Sequence, residues 1–413
     1  MSMGAVVGHQ SAFEAVAVTV PGVHLGQVAL LTGGEDRHYA VGLAIALADA
    51  GLQVEVIGSD EVDCAELHSH PRVTFLNLRG DRTREAALPQ KIARLLRYYA
   101  RLVRYAATSP VSTFHILWNN KWQLFDRTLL TLYYRLCHKR VVMTVHNVNA
   151  ARRDGRDSRR NRLSLRIQYR LCDHLFVHTE LMKAELIQQF DVDSRRITVI
   201  PYGINNAVPH TPLTSAQARE CLGLAPQHKV VLFFGNIAPY KGLEYLVEAA
   251  QQLLTVDPDY RLLIAGRPKK HGDDYWRSIR RTIESAGAPG TVLQRIEHIP
   301  DEDAEVYFKA ADVLALPYTD IFQSGILFFG YSFGLPVIAT NVGSLADEVL
   351  QGVTGFICRP RDAADLRDTI ERYFSSDLHR QLPLARTRIR AFAEQRHSWA
   401  TVARLTRDGY GGE

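Results

Sequence analysis

This chain reads as an α/β protein of two doubly wound domains that face a cleft. Three features carry the reading. Short apolar, β-branched runs alternate with helical stretches, and several of the runs stop at a glycine. The alternation also restarts after Val199–Thr214, "VIPYGINNAVPHTPLT", whose Pro, Gly, Asn and Thr mark a linker. A length of 413 residues suits two or three domains. The expected units are residues 1–207, residues 208–385, and a basic helical segment, 386–413, that crosses back onto the first unit.

In the first unit, Val28–Thr32 is an apolar strand ending at Gly33-Gly34. A helix from about Asp36 to Ala50 stops at Gly51, and Val54–Ile57 is the next strand. Val73–Asn77, Val141–Val145 and Leu175–His178 supply further strands. In the second unit, Val230–Phe234 ends at Gly235. A helix runs from Gly242 to about Leu254, and Arg261–Ala265 ends at Gly266. Leu293–Ile296, Val313–Leu316 and Val337–Ala339 complete the set. Parallel sheets of this kind bind ligands at the carboxyl ends of their strands.

Between Asp320 and Asp347 no residue is charged, although 23% of the chain is. A membrane span is excluded, because Gly325, Gly330, Gly334, Pro336 and Gly343 interrupt the stretch. It parses as a loop, a helix from Gly325 to Phe333, a turn and a buried strand. Gln323-Ser324-Gly325 opens that helix, where free N–H groups favour an anion such as phosphate. A plain core helix with a serine cap fits equally.

Composition is that of a soluble globular protein, 46% hydrophobic and 9% aromatic. No N-terminal stretch has the form of a secretory signal, and the five cysteines lack metal-ligand spacing, so a reducing cytoplasm is expected. Charge is uneven. Residues 1–207 hold 26 Lys and Arg against 19 Asp and Glu, whereas the remainder holds 23 against 25. Within 88–170, 18 basic residues face only Asp126, Asp154 and Asp157. Such a field points to a polyanion: anionic lipid, a phosphate-bearing acceptor or nucleic acid.

Two segments carry that charge. In Lys91–Ala106, Arg94, Arg97, Arg101 and Arg104 recur at three and four, with Ile92, Leu95, Leu96, Tyr99, Leu102 and Val103 between them. This cationic amphipathic helix suits an anionic bilayer surface; an ordinary helix packed on the sheet fits as well. In Asn149–Arg170, eight arginines begin with Arg152 and Arg153 beside the "MTVHN" strand end. Their start borders the cleft at that strand end and suits a phosphate-bearing partner, or is a solvated loop. The absence of interleaved aromatics counts against nucleic acid.

The most informative motif is Leu232–Ala249, "LFFGNIAPYKGLEYLVEA". A buried strand stops at Gly235, and a short turn delivers Lys241 to a helix that starts at Gly242. An ammonium and free N–H groups meet at strand carboxyl ends, which suits a diphosphate. The pattern alone also fits a surface lysine. "LLIAGRPKK" brings Arg267, Lys269 and Lys270 to the same edge. His146 ends another strand and reads as a cleft-facing functional histidine or a hydrogen-bonded strand-end one. His115 reads as structural or acceptor-side.

In order and spacing, a series of motifs resembles the GT-B glycosyltransferases of family 4, group 1. It runs "LLTGGEDRHYAVGLAIALADAGLQVEVIG", "MTVHN", "VIPYGI", "FFGNIAPYKGLEYLVEAA", "HIPDEDAEVYFKAADVLALPY", "SFGLPVIATNVGSLADEV". The resemblance implies two Rossmann-like domains, the second binding a nucleotide-diphosphate sugar and the first an acceptor. It implies that Lys241 contacts the diphosphate, that His146 lies by the donor sugar, and that Gly33-Gly34 face the diphosphate. Gly235, Asn236, Arg267, Gln323, Ser324 and Gly325 complete the expected donor site. Two departures stand out. Asn236 occupies the place of a common arginine, for which Arg267 is the candidate substitute. The family's two glutamates, eight positions apart, fall on Ile321 and Phe329.

The expected reaction is therefore glycosyl transfer without a metal or resident cofactor. It has a nucleotide sugar as donor and a glycan or lipid-linked diphosphate as acceptor, in polysaccharide or glycolipid assembly. The protein is expected to be peripheral on the inner face of the plasma membrane. The resemblance implies retention at the anomeric carbon; inversion would need a base, for which Glu35, Asp36 and Asp154 are candidates. The rivals are an epimerase or phosphorylase of the same plan, and a degenerate transferase that only binds sugar nucleotide or membrane.

Overall fold

The computed structural model describes residues 26–33, 37–81, 87–204, 211–269, 272–285 and 290–411, without the side chains of residues 153, 301 and 302. Two wholly parallel sheets form. The first has seven strands: β1 (Gln27–Leu31), β2 (Gln53–Gly58), β3 (Val73–Asn77), β4 (Thr113–Ile116), β5 (Arg140–Val145), β6 (His174–Val177) and β7 (Ile197–Val199). The second has six: β8 (Lys229–Phe234), β9 (Tyr260–Ala265), β10 (Val292–Arg295), β11 (Val313–Leu316), β12 (Val337–Thr340) and β13 (Gly355–Cys358). Their orders are β3-β2-β1-β4-β5-β6-β7 and β10-β9-β8-β11-β12-β13. Both are doubly wound, with order reversing beside β1 and beside β8, where such sheets open a crevice.

The strands read from sequence all form, within a residue or two. β4, β7 and β13 were not anticipated. β4 is central, yet its apolar run is broken by His115. That ring is buried because Nε2 meets Thr144 Oγ1 at 2.7 Å and Nδ1 meets the Tyr410 hydroxyl at 2.6 Å. Its role is structural: it ties the central strand to the C-terminal helix.

Alternating side chains send each strand's residues to two faces. One face of the first sheet carries the helices Leu88–Thr108, Arg159–Leu171 and Glu180–Phe190, with the helical segment 123–136. The other carries Arg37–Asp49, Ala65–Ser69 and Trp399–Gly411. In the second sheet, Gly325–Ser332 and Leu382–His397 share one face and Leu243–Val256 and Ala363–Phe374 the other. The uncharged stretch is explained here. Leu327, Phe328, Phe329, Tyr331 and all of β12 are buried, and an unpaired charge there would cost several kcal/mol.

The C-terminal crossing differs from expectation. Leu382–His397, most of which was assigned to the crossing segment, packs on the second domain through Ile389 and Ala393. The Arg386 guanidinium holds it there by donating to the carbonyls of Phe308, Phe333 and Ala311. Only Trp399–Gly411 crosses. It packs on Arg37–Asp49, and Arg140 clamps its end by donating to the carbonyls of Gly409 and Tyr410.

At the crossing point the Trp399 ring fills a slot between two glycines. A Cβ on Gly42 would lie 2.3 Å from the ring, and one on Gly203 2.6 Å. Its Nε1 donates to the Ile204 carbonyl at 2.8 Å, and the Ile204 N–H donates to the His397 carbonyl at 3.1 Å. Linker and crossing are thus stitched together. Gly42 sits inside a helix, where Gly→Ala ordinarily gains about 0.5–1 kcal/mol. Here Gly42→Ala is expected to lose about 1–3 kcal/mol in urea denaturation through overpacking. Trp399→Leu in the same chain should relieve the loss. A gain in the single variant would show that Trp399 does not wedge the domains.

Candidate functional site

A cleft of about 460 Å³, open to solvent, lies where the two domains meet. Its floor is bare backbone. β8 ends at Gly235 (φ +99°) and β9 at Gly266 (φ +144°). A Cβ on Gly266 would lie 1.9 Å from the Gly235 carbonyl oxygen, so no other residue fits. The chain then makes a single turn, Pro239–Lys241, and leaves it through Gly242 (φ +63°). A Cβ on Gly242 would lie 2.0 Å from the Pro317 carbonyl oxygen. This close approach folds Lys241 back under the floor. It is only 6% exposed, and its Nζ sits 5.1 Å from the centre of the buried Tyr318 ring. A Cβ on Gly235 would lie 3.5 Å from that Nζ. An ammonium thus stands beside stripped backbone at strand carboxyl ends.

The facing wall is the start of the Gly325–Ser332 helix. Ser324 is buried and bonds the Tyr318 hydroxyl at 3.3 Å rather than capping the helix. The helix therefore presents its positive end to the cleft without a side-chain cap. Gln323 is more telling. Its Oε1 and Nε2 are both buried and have no hydrogen-bond partner among the described residues, and the residue lines the cleft. An unmatched amide costs about 1–3 kcal/mol per group, which a bound hydroxyl or phosphate recovers. Asn236, Arg267, Glu297 and His298 line the rest, and the Arg267 side chain has no ion-pair partner among the described residues. Ile321 and Phe329 also line it, so the positions of the family's glutamates are apolar walls.

The first domain contributes a buried aromatic block. His146 stacks on Trp118 with centroids 4.3 Å apart and meets Tyr39 edge-on at 4.7 Å. Its Nδ1 lies 3.0 Å from His178 Nε2, and His178 Nδ1 lies 3.3 Å from the Ile200 carbonyl oxygen. A carbonyl only accepts, so neutral His178 carries its proton on Nδ1. His146 then donates from Nδ1, and its Nε2 is left as a buried acceptor without a partner among the described residues. Tyr39, not His146, reaches the cleft wall; His146 sits one layer behind it. Burial lowers the pKa of His115 to about 3 and of His178 to about 4, and holds His146 well below its ordinary value.

Seven of the expected donor-site residues converge on this cleft: Gly235, Asn236, Lys241, Arg267, Gln323, Ser324 and Gly325. Gly33 (φ +59°) packs on Trp118 instead of lining it, and its carbonyl accepts from Arg79. Gly34, Glu35 and Asp36 lie outside the described residues, as does the Arg153 side chain. Asp154, a candidate base, spans the domains to Lys269 Nζ at 3.3 Å. Arg152 pairs with Glu185 at 3.2 Å and Arg94 with Asp81 at 3.1 Å, while Arg97, Arg101 and Arg104 are exposed on their helix. Among the described residues no cluster of His, Cys, Asp and Glu could hold a metal ion. Tyr39, Tyr202 and Trp399 were missed. Each is apolar enough to read as core, and only the domain interface brings them to one place.

The buried histidines carry a sign for pH. Below the ordinary histidine pKa, the unfolded chain binds protons that these rings refuse, so stability falls as pH falls. His115 and His178 together should lose roughly 3 kcal/mol between about pH 7.5 and about pH 5.5, and His146 acts in the same direction. Urea denaturation at the two pH values reads it; equal stability would mean the rings are charged or solvated. For the cleft, Gln323→Ala should weaken nucleotide-sugar binding by about 10-fold in calorimetry with the Tm held. Unchanged affinity would remove the amide from the site.

Two family models match the chain, one on each half. "Glycosyltransferase Family 4" covers residues 37–208 and "Glycosyl transferases group 1" covers residues 228–376. The chain is 33% identical over 208 residues to a D-inositol 3-phosphate glycosyltransferase of Mycobacterium sp. (strain JLS). That match covers 49% of this chain and 45% of the relative, so it spans about half the relative's length. A protein of the same name from Pseudarthrobacter chlorophenolicus is 25% identical over 377 residues, 89% of this chain and 88% of that one. Solved structures agree in fold. Sucrose-phosphate synthase from Thermosynechococcus elongatus has a TM-score of 0.74 at 20% identity, over 94% of this chain and 100% of that one. HepE of Anabaena, in complex with UDP and glucose, has a TM-score of 0.71 at 18% identity over the same shares, 94% and 100%. Two Rossmann-like domains, a cleft at their strand carboxyl ends and a family model on each half place this chain among the family 4, group 1 glycosyltransferases of the GT-B type.

Proposed function

We propose that this chain transfers a glycosyl group from a nucleotide-diphosphate sugar to a glycan or lipid-linked diphosphate acceptor at the inner face of the plasma membrane. Polysaccharide or glycolipid assembly is the proposed setting. One observation carries the donor side: Lys241, Arg267 and the uncapped start of the Gly325–Ser332 helix converge on a floor of bare glycine backbone. Positive charge and free N–H groups there suit a diphosphate in the ground state. They suit it better as the glycosidic bond breaks and the leaving phosphate gains charge. The UDP complexes of HepE, a protein of like fold, support this reading.

Neutral groups are available for sugar recognition beside the Glu297 carboxylate. Gln323 offers both a donor and an acceptor, and His146 Nε2 is a buried acceptor one layer behind Tyr39. Retention is the proposed stereochemistry: the acceptor attacks the face that the diphosphate leaves, and a departing phosphate oxygen takes its proton. Asp154, engaged by Lys269, is poorly placed to serve as a base for inversion. The apolar Ile321 and Phe329 at the cleft favour a second reading, a chain that binds sugar nucleotide without turnover.

Lys241→Met keeps the stem and removes the charge. It should weaken nucleoside diphosphate binding by about 10–100-fold and abolish release of nucleoside diphosphate from the donor. Wild-type affinity in the variant would overturn the donor site. Tight donor binding by wild type, with no turnover on any acceptor extract, would select the second reading.

A further inference from the structure

On the outer face of the first sheet, three helical segments lie side by side: Leu88–Thr108, residues 123–136 and Arg159–Leu171. The middle one is tied to the first by the Tyr99 and Phe125 rings, edge-on at 5.3 Å, and by the Tyr133 hydroxyl on the Val103 carbonyl at 3.3 Å. It is tied to the third by Arg127, which donates to Asn161 at 2.9 Å, and by Arg135 on the Leu171 carbonyl at 2.9 Å.

The middle segment exposes a ridge of leucines. Leu124, Leu129, Leu132 and Leu136 are 41, 62, 42 and 69% exposed. Leu129, Leu132 and Leu136 stand at i, i+3 and i+7, one side of a helix. Its neighbours flank the ridge with cations and further apolar groups. Arg97 and Arg104 on one side and Arg159 and Arg160 on the other are exposed and have no carboxylate partner among the described residues. Leu88, Ile92, Leu96 and Leu163 are exposed beside them.

Across all three segments there are 12 Lys and Arg and a single carboxylate, Asp126. That one is turned inward. It is 3% exposed and accepts from the Tyr99 hydroxyl at 2.9 Å. The local device is a π-turn, Asp126–Leu130, closed by the Thr131 N–H on the Asp126 carbonyl. No helix among the described residues is long and apolar enough to cross a membrane. Arg94, Arg135, Arg162 and Arg170 pair with Asp81, Asp173, Asp157 and Asp191 from neighbouring segments. The leucines, with the arginines left outside those pairs and no exposed carboxylate within the three segments, match an anionic bilayer in both its apolar and its charged layers.

We propose that these three helical segments form one membrane-docking face, whose leucine ridge enters an anionic bilayer between two arginine-bearing helices. The proposal rests on the membrane-borne acceptor of the preceding section for its purpose, and extends it from one helix to a built surface. It also gives the acceptor a route. Helices that follow parallel strands run back against them, so their first turns lie at the strand carboxyl ends, the cleft edge. Leu88, Ile92, Trp122 and Leu124 therefore mark the border between bilayer and cleft. An acceptor's lipid remains in the membrane while its head group passes this border.

The test is co-sedimentation with vesicles of phosphatidylcholine alone and of phosphatidylcholine with phosphatidylglycerol. Wild type should pellet with the anionic vesicles, and added salt should release it. Leu129→Ser/Leu132→Ser/Leu136→Ser should weaken partition by on the order of a hundredfold. Arg97→Gln/Arg104→Gln/Arg159→Gln/Arg160→Gln should remove the preference for anionic lipid. Both variants should keep the thermal shift given by nucleoside diphosphate, which shows that they are folded. Equal pelleting of wild type and the leucine variant would overturn the proposal, as would failure of wild type to pellet. A dimer that the leucine variant splits, without vesicle binding, would overturn it too and assign the ridge to a second copy of the chain. Vesicle binding without any nucleotide shift in wild type would sink the transferase reading and leave the docking face standing.

Discussion

The cleft depends on one wedge. The two sheets share a common edge where the last helix leaves the second domain and lies on the first, with Trp399 set between Gly42 and Gly203. Around that ring sit Tyr39 and the linker residue Tyr202, which stacks on Phe328 of the second domain at 5.4 Å. Tyr39, Tyr202, Phe328 and Trp399 all line the cleft as well. The contact that joins the domains is thus also a wall of the site, so a change in domain angle changes its shape. The Asp154–Lys269 pair spans the other side and is solvent-accessible, where such pairs contribute little to stability and break readily.

Within the cleft, the division of labour follows from burial. Charge is concentrated where a diphosphate would lie, on Lys241, Arg267 and a helix end, in a place shielded enough for charge to matter. The rest of the lining combines Glu297 and His298 with neutral donors, neutral acceptors and apolar walls. Ile321 and Phe329 can exclude water and position a ring by contact, but they cannot accept a hydroxyl. The buried, unmatched amide of Gln323 and the buried Nε2 of His146 stand out against that background. A protein interior leaves such atoms unpaired rarely.

Much of this was legible in the residues. Strands bounded by Gly235 and Gly266 declare themselves because a floor without side chains needs glycine at positive φ, and a K-G turn declares itself because Gly242 has no alternative. The uncharged stretch announced burial directly. β4 did not declare itself, because His115 interrupts its apolar run and its partners, Thr144 and Tyr410, lie 29 and 295 residues away. The true crossing point was hidden for a related reason. Leu382–His397 is as basic as a surface helix, and Arg386 reveals its buried role only through the carbonyls it meets. His146 was placed correctly along the strand, but sequence carries no depth, and depth puts Tyr39 in front of it.

The π-turn at Asp126–Leu130 sets the phase of the helical segment that follows it. A helix advances about 100° per residue, so one added residue rotates all that follows by about that angle unless a wider turn absorbs it. Upstream of the turn, Phe125 packs against Tyr99; Leu130 at its end and Tyr134 downstream are buried in the same core. Both frames are satisfied only because the extra residue is spent within the turn. The chemistry of that outer surface is therefore written in register as much as in composition. Without the turn, the residues after it would rotate by about 100°, and Leu132 and Leu136 would leave the leucine face.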